Sequence, residues 1–255
     1  MTRYRHALPQ LAGRLFLTDG GMETTFIFDN GLDLPCFAAF DLLRRPGGAE
    51  TIRAYYRRHA AIARAAGLGF ILEGATWRAS ADWGRELGYS AAALAAANRA
   101  AIGLIGDLRA ELDSPAMPVV VSACIGPRGD GYDPGRIMSA DEAQEFHSVQ
   151  VAGFADTEAD MVTAMTMTNI PEAVGVARAA HAAGLPCAIS FTVETDGRLP
   201  TGEALGDAIA AVDAATGSAP AYYMLNCAHP DHFADMLAAG GDWLGRLRGV
   251  RANAS

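Results

Sequence analysis

The feature that most constrains this chain is a strict alternation. Short, unbroken apolar runs take turns with longer alanine-rich runs of helical period. The short runs are Leu15-Phe16-Leu17-Thr18, Phe70-Ile71-Leu72, Met117 to Ala123, Met161 to Ala164, Cys187 to Phe191, Tyr222 to Asn226 and Arg248 to Asn253. Continuous apolar residues suit strands covered on both faces. Between them Ile52, Tyr55, Tyr56, His59 and Ile62, and later Leu94, Ala97, Ala101, Ile105, Leu108 and Leu112, recur at helical spacing. Gly67 and Gly184 close helices, and Ser139-Ala140-Asp141-Glu142 opens one as a capping box. The pattern predicts parallel strands joined by helices: an α/β fold, a (β/α)8 TIM barrel, with a doubly wound sheet as its rival. No G-x-G-x-x-G follows the first run, which weakens the rival. About seven strands are expected, and no residues remain for the eighth that would remove the open edges. The expectation is a single barrel domain over residues 1–255, incomplete on its C-terminal side.

Composition narrows the function classes. A hydrophobic fraction of 51% is ample for a large core, and a net charge of -9 gives no electrostatic case for nucleic acid or an anionic membrane surface. The four cysteines, Cys36, Cys124, Cys187 and Cys227, show no paired spacing and no disulfide framework. The stretch Met1 to Gln10 has no apolar segment behind it, and no apolar run is expected to reach a membrane span. A cytoplasmic protein is the expectation. An open barrel edge would invite pairing with another chain, so a homo-oligomer is among the expected partners.

Polar residues gather where the strands end: Asp19 and Glu23, Glu73 and Thr76, Asp130, Thr166, Glu194, then Asn226, Cys227 and His229. In a barrel these ends share one mouth. Cys227 is the sharpest candidate. It is either a small buried hydrophobe or a thiolate metal ligand. His229 and His232 are near enough to join it, but their spacing matches no common zinc pattern. Otherwise they are solvent-facing imidazoles at a helix start, with Pro230 in the first turn. Asp19-Gly20-Gly21 reads as a tight turn with positive φ, or as close backbone approach to a ligand whose ammonium Asp19 holds. Gly126 to Gly131 reads as a structured loop or as a second such approach. Glu73 and Glu194 are a general acid–base pair or simply loop carboxylates. Cys36, Cys124 and Cys187 read as packing residues.

Several of these motifs occur together in one known family. Leu17-Thr18-Asp19-Gly20-Gly21-Met22-Glu23, Thr76-Trp77-Arg78-Ala79-Ser80, Ile125-Gly126-Pro127-Arg128-Gly129-Asp130-Gly131-Tyr132 and above all Leu225-Asn226-Cys227 resemble the homocysteine S-methyltransferases. The resemblance implies a zinc-dependent TIM barrel that moves a methyl group from a small donor to the thiol of homocysteine, giving methionine. It implies that Cys227 binds Zn2+ and that Asp19, with Gly20, Gly21, Glu23, Glu73, Thr76 and Asn226, forms the substrate site. The chemistry is sound, because a free thiol is only about 3% thiolate at pH 7, whereas a zinc-bound thiol is deprotonated. Two departures stand out. The family's other two zinc ligands are an adjacent Cys-Cys pair, and the sequence ends at Asn253-Ala254-Ser255 before such a motif. The resemblance therefore implies an incomplete site, with His229 the nearest substitute ligand and a shortened, inactive member one form it can take. Met165 stands where the family often has a glutamate for the substrate amine, which brings in a related small thiol as an acceptor beside homocysteine. Two other readings stay open: a barrel enzyme using Asp19, Glu73 and Glu194 with an oxygen-preferring metal, and a non-catalytic binding module.

Overall fold

A computed structural model describes residues 2–253. Seven strands form, each rich in β-branched, aromatic or other apolar residues: β1 (Phe16–Thr18), β2 (Gly69–Glu73), β3 (Val119–Ile125), β4 (Met161–Met167), β5 (Cys187–Phe191), β6 (Tyr222–Asn226) and β7 (Leu247–Arg251). Between them run α1 (Met22–Thr24), α2 (Gly48–Ala65), α3 (Ala81–Glu86), α4 (Ala91–Leu112), α5 (Ala140–Ala155), α6 (Ile170–Ala182), α7 (Leu205–Thr216) and α8 (Pro230–Ala239). The strands follow one another in sequence order in one seven-stranded sheet. That order, with a helix in every crossover, is the TIM-barrel topology with seven strands. Among the described residues there is no eighth strand.

By the density of its contacts the chain divides into two units. The first runs to Ile125 and includes Gly153–Met161. In it β1 pairs with β2, and β2 with β3, all parallel, in registers that set Thr18 beside Ile71 and Glu73 beside Ser122. Residues of β2 and β3 are buried without exception, as suits their largely apolar sequences, and Glu73 and Ser122 are buried with them. Helices α2 and α4 lay Ile52, Tyr56, Ile102, Ile105 and Leu108 against this sheet. Each such side chain contributes about 1.5–3 kcal/mol on burial. Asp160 is fully buried, and its carboxylate accepts from the backbone N–H groups of Arg3, Tyr4 and Val121 and from Arg109. The polar start of the chain is thereby a structural strap. Helix α4 is long and apolar enough, by length and composition alone, to cross a membrane, contrary to the sequence expectation. Its Asn98 donates to Ala79 O and its Arg109 pairs with Asp160, so its polar groups are used inside this unit.

The second unit comprises Gly126–Ala152 and the chain from Val162. Strands β4 to β7 pair in order, again parallel. The rings of Phe191 and Tyr223 stack 6.3 Å apart in its core. The predicted capping box forms: Glu142 N donates to Ser139 Oγ at 3.2 Å, and Ser139 N to Glu142 Oε2 at 2.8 Å. Gly184, at φ 69°, ends α6 as expected. Register shifts at one place in β4, between Ala164 and Met167. This bulge brings Thr166 to φ 62°. The stretch from Met22 to Arg44 contains short helical turns that bury Phe26 and Phe40 completely. Turns of three to six residues are too short to show a period.

Candidate functional site

The sequence-predicted residues fall into two groups, one in each unit. In the first unit, Asp19 follows β1 and Glu73 ends β2; both are almost fully buried. The phenol of Tyr56, from α2, lies wholly inside. Burial raises its pKa, and the nearby carboxylates of Asp19 and Glu73 raise it further. Both acids therefore surround one phenol that stays neutral. The Tyr56 hydroxyl donates to the Glu73 carbonyl. Thr76 is buried, and its hydroxyl donates to Cys124 O at 2.6 Å, which ties the loop after β2 to β3. Gly20 and Gly21 do not take positive φ, so the tight-turn reading fails. A Cβ on Gly20 would lie 3.6 Å from His59 Nε2 and 3.9 Å from Tyr55 Oη, ordinary contact distances. Protein packing does not require glycine there. Glu23 is half-buried in α1.

In the second unit, Asn226 ends β6 and is buried, while Cys227 is half-buried just beyond it. Cys227 has φ 56°, an uncommon left-handed conformation for a side chain with a Cβ. Its surroundings are polar. Thr166 Oγ1 lies 3.9 Å from Cys227 Sγ, and the partly exposed Tyr132 phenol interacts electrostatically with the Cys227 thiol. Burial, and then the neighbouring thiol, push the Tyr132 phenol up to about 12. Cys227 is only partly buried, unlike Cys187, whose complete burial pushes its thiol up to about 12. The Asn226 side chain is spent inside the protein. Its Oδ1 accepts from Thr166 N at 2.9 Å and Ser190 Oγ at 2.6 Å, and its Nδ2 donates to Thr166 Oγ1 at 2.8 Å.

The loop after β3 is held by its own hydrogen bonds, as the structured-loop reading expects. Asp130 Oδ1 accepts from Tyr132 N at 2.8 Å and Asp133 N at 3.2 Å. Glu172, which sequence reasoning missed, holds the start of that loop. Its Oε1 accepts from Arg128 N at 2.7 Å and contacts His147 Nε2 at 2.9 Å. Burial would raise the Glu172 pKa, but the hydrogen bond and charge of His147, with the Arg128 and Asn169 donors, bring it down overall. The signal was present as Asn169-Ile170-Pro171-Glu172, a capping pattern in which Glu172 N donates to Asn169 Oδ1. Glu194 is solvent-exposed in a turn, where its backbone N–H donates to Arg198 O at 2.8 Å.

Zinc, which the resemblance implies, needs about three protein ligands in a catalytic site. Among the described residues no three His, Cys, Asp or Glu side chains converge on a metal position. His229 Nδ1 instead accepts from Asp231 N at 3.2 Å, capping α8. The described residues bring Cys227 alone and do not by themselves fit a zinc ion.

Comparison with known proteins bears on family and fold. The sequence model of the homocysteine S-methyltransferase family matches residues 16–254. No curated protein sequence matches the chain. Among solved structures, the metallated form of the homocysteine methyltransferase MmuM from Escherichia coli superposes with a TM-score of 0.72 at 20% identity, over 97% of this chain and 95% of that one. The oxidized form gives 0.73 at 19% identity, over 99% and 96%. The apo form gives 0.64 at 20%, over 98% and 94%. At such identities the likeness speaks for the fold.

Proposed function

This chain belongs to the homocysteine S-methyltransferase family, and on that premise we propose that it methylates the thiol of homocysteine to give methionine. In that reaction a sulfur–carbon bond forms as the bond from the methyl carbon to the donor's leaving atom breaks. The thiol proton leaves to solvent, and the donor departs without its methyl group. The protein's contribution is to hold the sulfur in line with the methyl carbon, where alignment alone can supply several kcal/mol of the barrier. We assign Asp19 to the substrate ammonium, with Gly20 and Gly21 allowing the backbone close approach and Glu23, Glu73 and Thr76 completing that side. Met165 is almost fully buried in β4 and offers no charge to an amine, so this role falls to Asp19 and Glu73. Cys227 is assigned to the sulfur chemistry.

The observation that carries this reading is the half-buried Cys227, set in strained backbone at a strand C-terminus with the Thr166 hydroxyl 3.9 Å from its sulfur. A zinc ion at Cys227 would need two further ligands beyond those the described residues bring, so no step is routed through metal. The test is a panel of homocysteine with betaine, S-methylmethionine, S-adenosylmethionine or a methylated folate, read as methionine by mass spectrometry. Metal content is measured on the same sample. Methionine from one donor supports the reading. None from any donor, with or without added zinc, contradicts it.

A further inference from the structure

The hydrogen bonds around Asn226 have only one consistent direction. A backbone N–H can only donate, so the Asn226 atom 2.9 Å from Thr166 N must be its carbonyl oxygen. Ser190 Oγ, 2.6 Å from that oxygen, must then donate to it. The other end of the amide is therefore the NH2 group, and it lies 2.8 Å from Thr166 Oγ1. An amide nitrogen cannot accept, so the Thr166 hydroxyl accepts there and its own proton must point elsewhere. In the remaining direction, 3.9 Å away, is Cys227 Sγ. Both residues at the end of this chain have positive φ, Thr166 at 62° and Cys227 at 56°. Thr166 owes its place to the bulge in β4, a device that re-aims a side chain.

We propose that Asn226 and Thr166 form an ordered relay that fixes the Thr166 hydroxyl as a donor toward Cys227 Sγ, making Thr166 the positioning residue for that sulfur. The inference rests on the reading that Cys227 is the functional sulfur. Ser190, Asn226 and Thr166 are all nearly or fully buried, so water does not compete for these bonds. Asn226 thereby changes role, from a substrate contact to the part that sets which way a hydroxyl faces.

The relay is read from the side-chain rotamer of Cys227, by scalar couplings in protein labelled only at cysteine. The parent is expected to show a single rotamer. Thr166→Ser keeps the hydroxyl and should match it. Thr166→Val removes the donor at nearly constant shape, and rotamer averaging should appear. Asn226→Asp keeps every heavy-atom position but puts an acceptor where the NH2 was. The Thr166 proton then turns to the carboxylate, and averaging should appear again. Ser190→Ala should behave as the parent, since Thr166 N alone orients the amide. A single rotamer in both Thr166→Val and Asn226→Asp overturns the proposal. So does averaging already present in the parent, or in Thr166→Ser. If the parent makes methionine, kcat should fall about tenfold in Thr166→Val with KM little changed, and recover in Thr166→Ser. If it makes none, the functional reading fails while the couplings still decide the relay.

Discussion

Cys227 sits at φ 56°, in backbone space that costs a residue with a Cβ about 1–2 kcal/mol and costs glycine nothing. Its side chain is worth that strain only if the sulfur is used. Cys227→Gly should therefore be more stable than Cys227→Ala by about 1 kcal/mol, because both lose the sulfur and only one loses the strain. Thermal unfolding of the two variants checks this; equal melting temperatures would mean the backbone there is unstrained. The sequence already singled out Cys227, since Leu225-Asn226-Cys227 ends an apolar run in polar residues. It did not reveal Thr166 as the partner. The sequence reading stopped the fourth strand at Ala164 and set Thr166 beyond it, whereas β4 runs on to Met167 through a bulge that leaves no mark in an apolar period. Gly20 and Gly21 were not legible as to conformation, since neither takes the positive φ that a tight turn would use.

Among elements, the joint between α6 and the loop after β3 depends on Glu172. Its carboxylate meets His147, Arg128 N and Asn169 together. Because its pKa is lowered in the folded protein, ionised Glu172 contributes stability that is present above the ordinary carboxylate pKa. That contribution is lost as pH falls through the lower, folded value. Glu172→Gln should be less stable than the parent by about 1–3 kcal/mol at pH 7. The difference should shrink as pH drops below about 4.3, the unfolded value. Melting temperatures of both proteins from pH 7 to pH 3 check this, and a constant gap across that range would contradict it. Strands β2 and β5 were legible because parallel strands buried on both faces are largely apolar. Helices α1 and α3, with three and six residues, were not. Nor was the Asp160 strap, since nothing local in Thr157-Glu158-Ala159-Asp160 says that its partners are Arg3, Tyr4 and Arg109.

At the scale of the whole molecule, the alternation of runs predicted both the seven strands and their order. The expectation of a single domain over the chain, which contains two contact-dense units, is open to calorimetry. One transition whose calorimetric and van't Hoff enthalpies agree would support it, and two separable transitions would contradict it. The motifs spread from Asp19 to Cys227 carried the family resemblance, and the family match spans residues 16–254. The proposed function turns on Cys227. The most direct test is kcat/KM for methionine formation from homocysteine with the donor found to work, measured for the parent and for Cys227→Ala. The account predicts turnover in the parent and a loss of at least about a hundredfold in Cys227→Ala, with both proteins equally folded. Equal turnover in the two would contradict it.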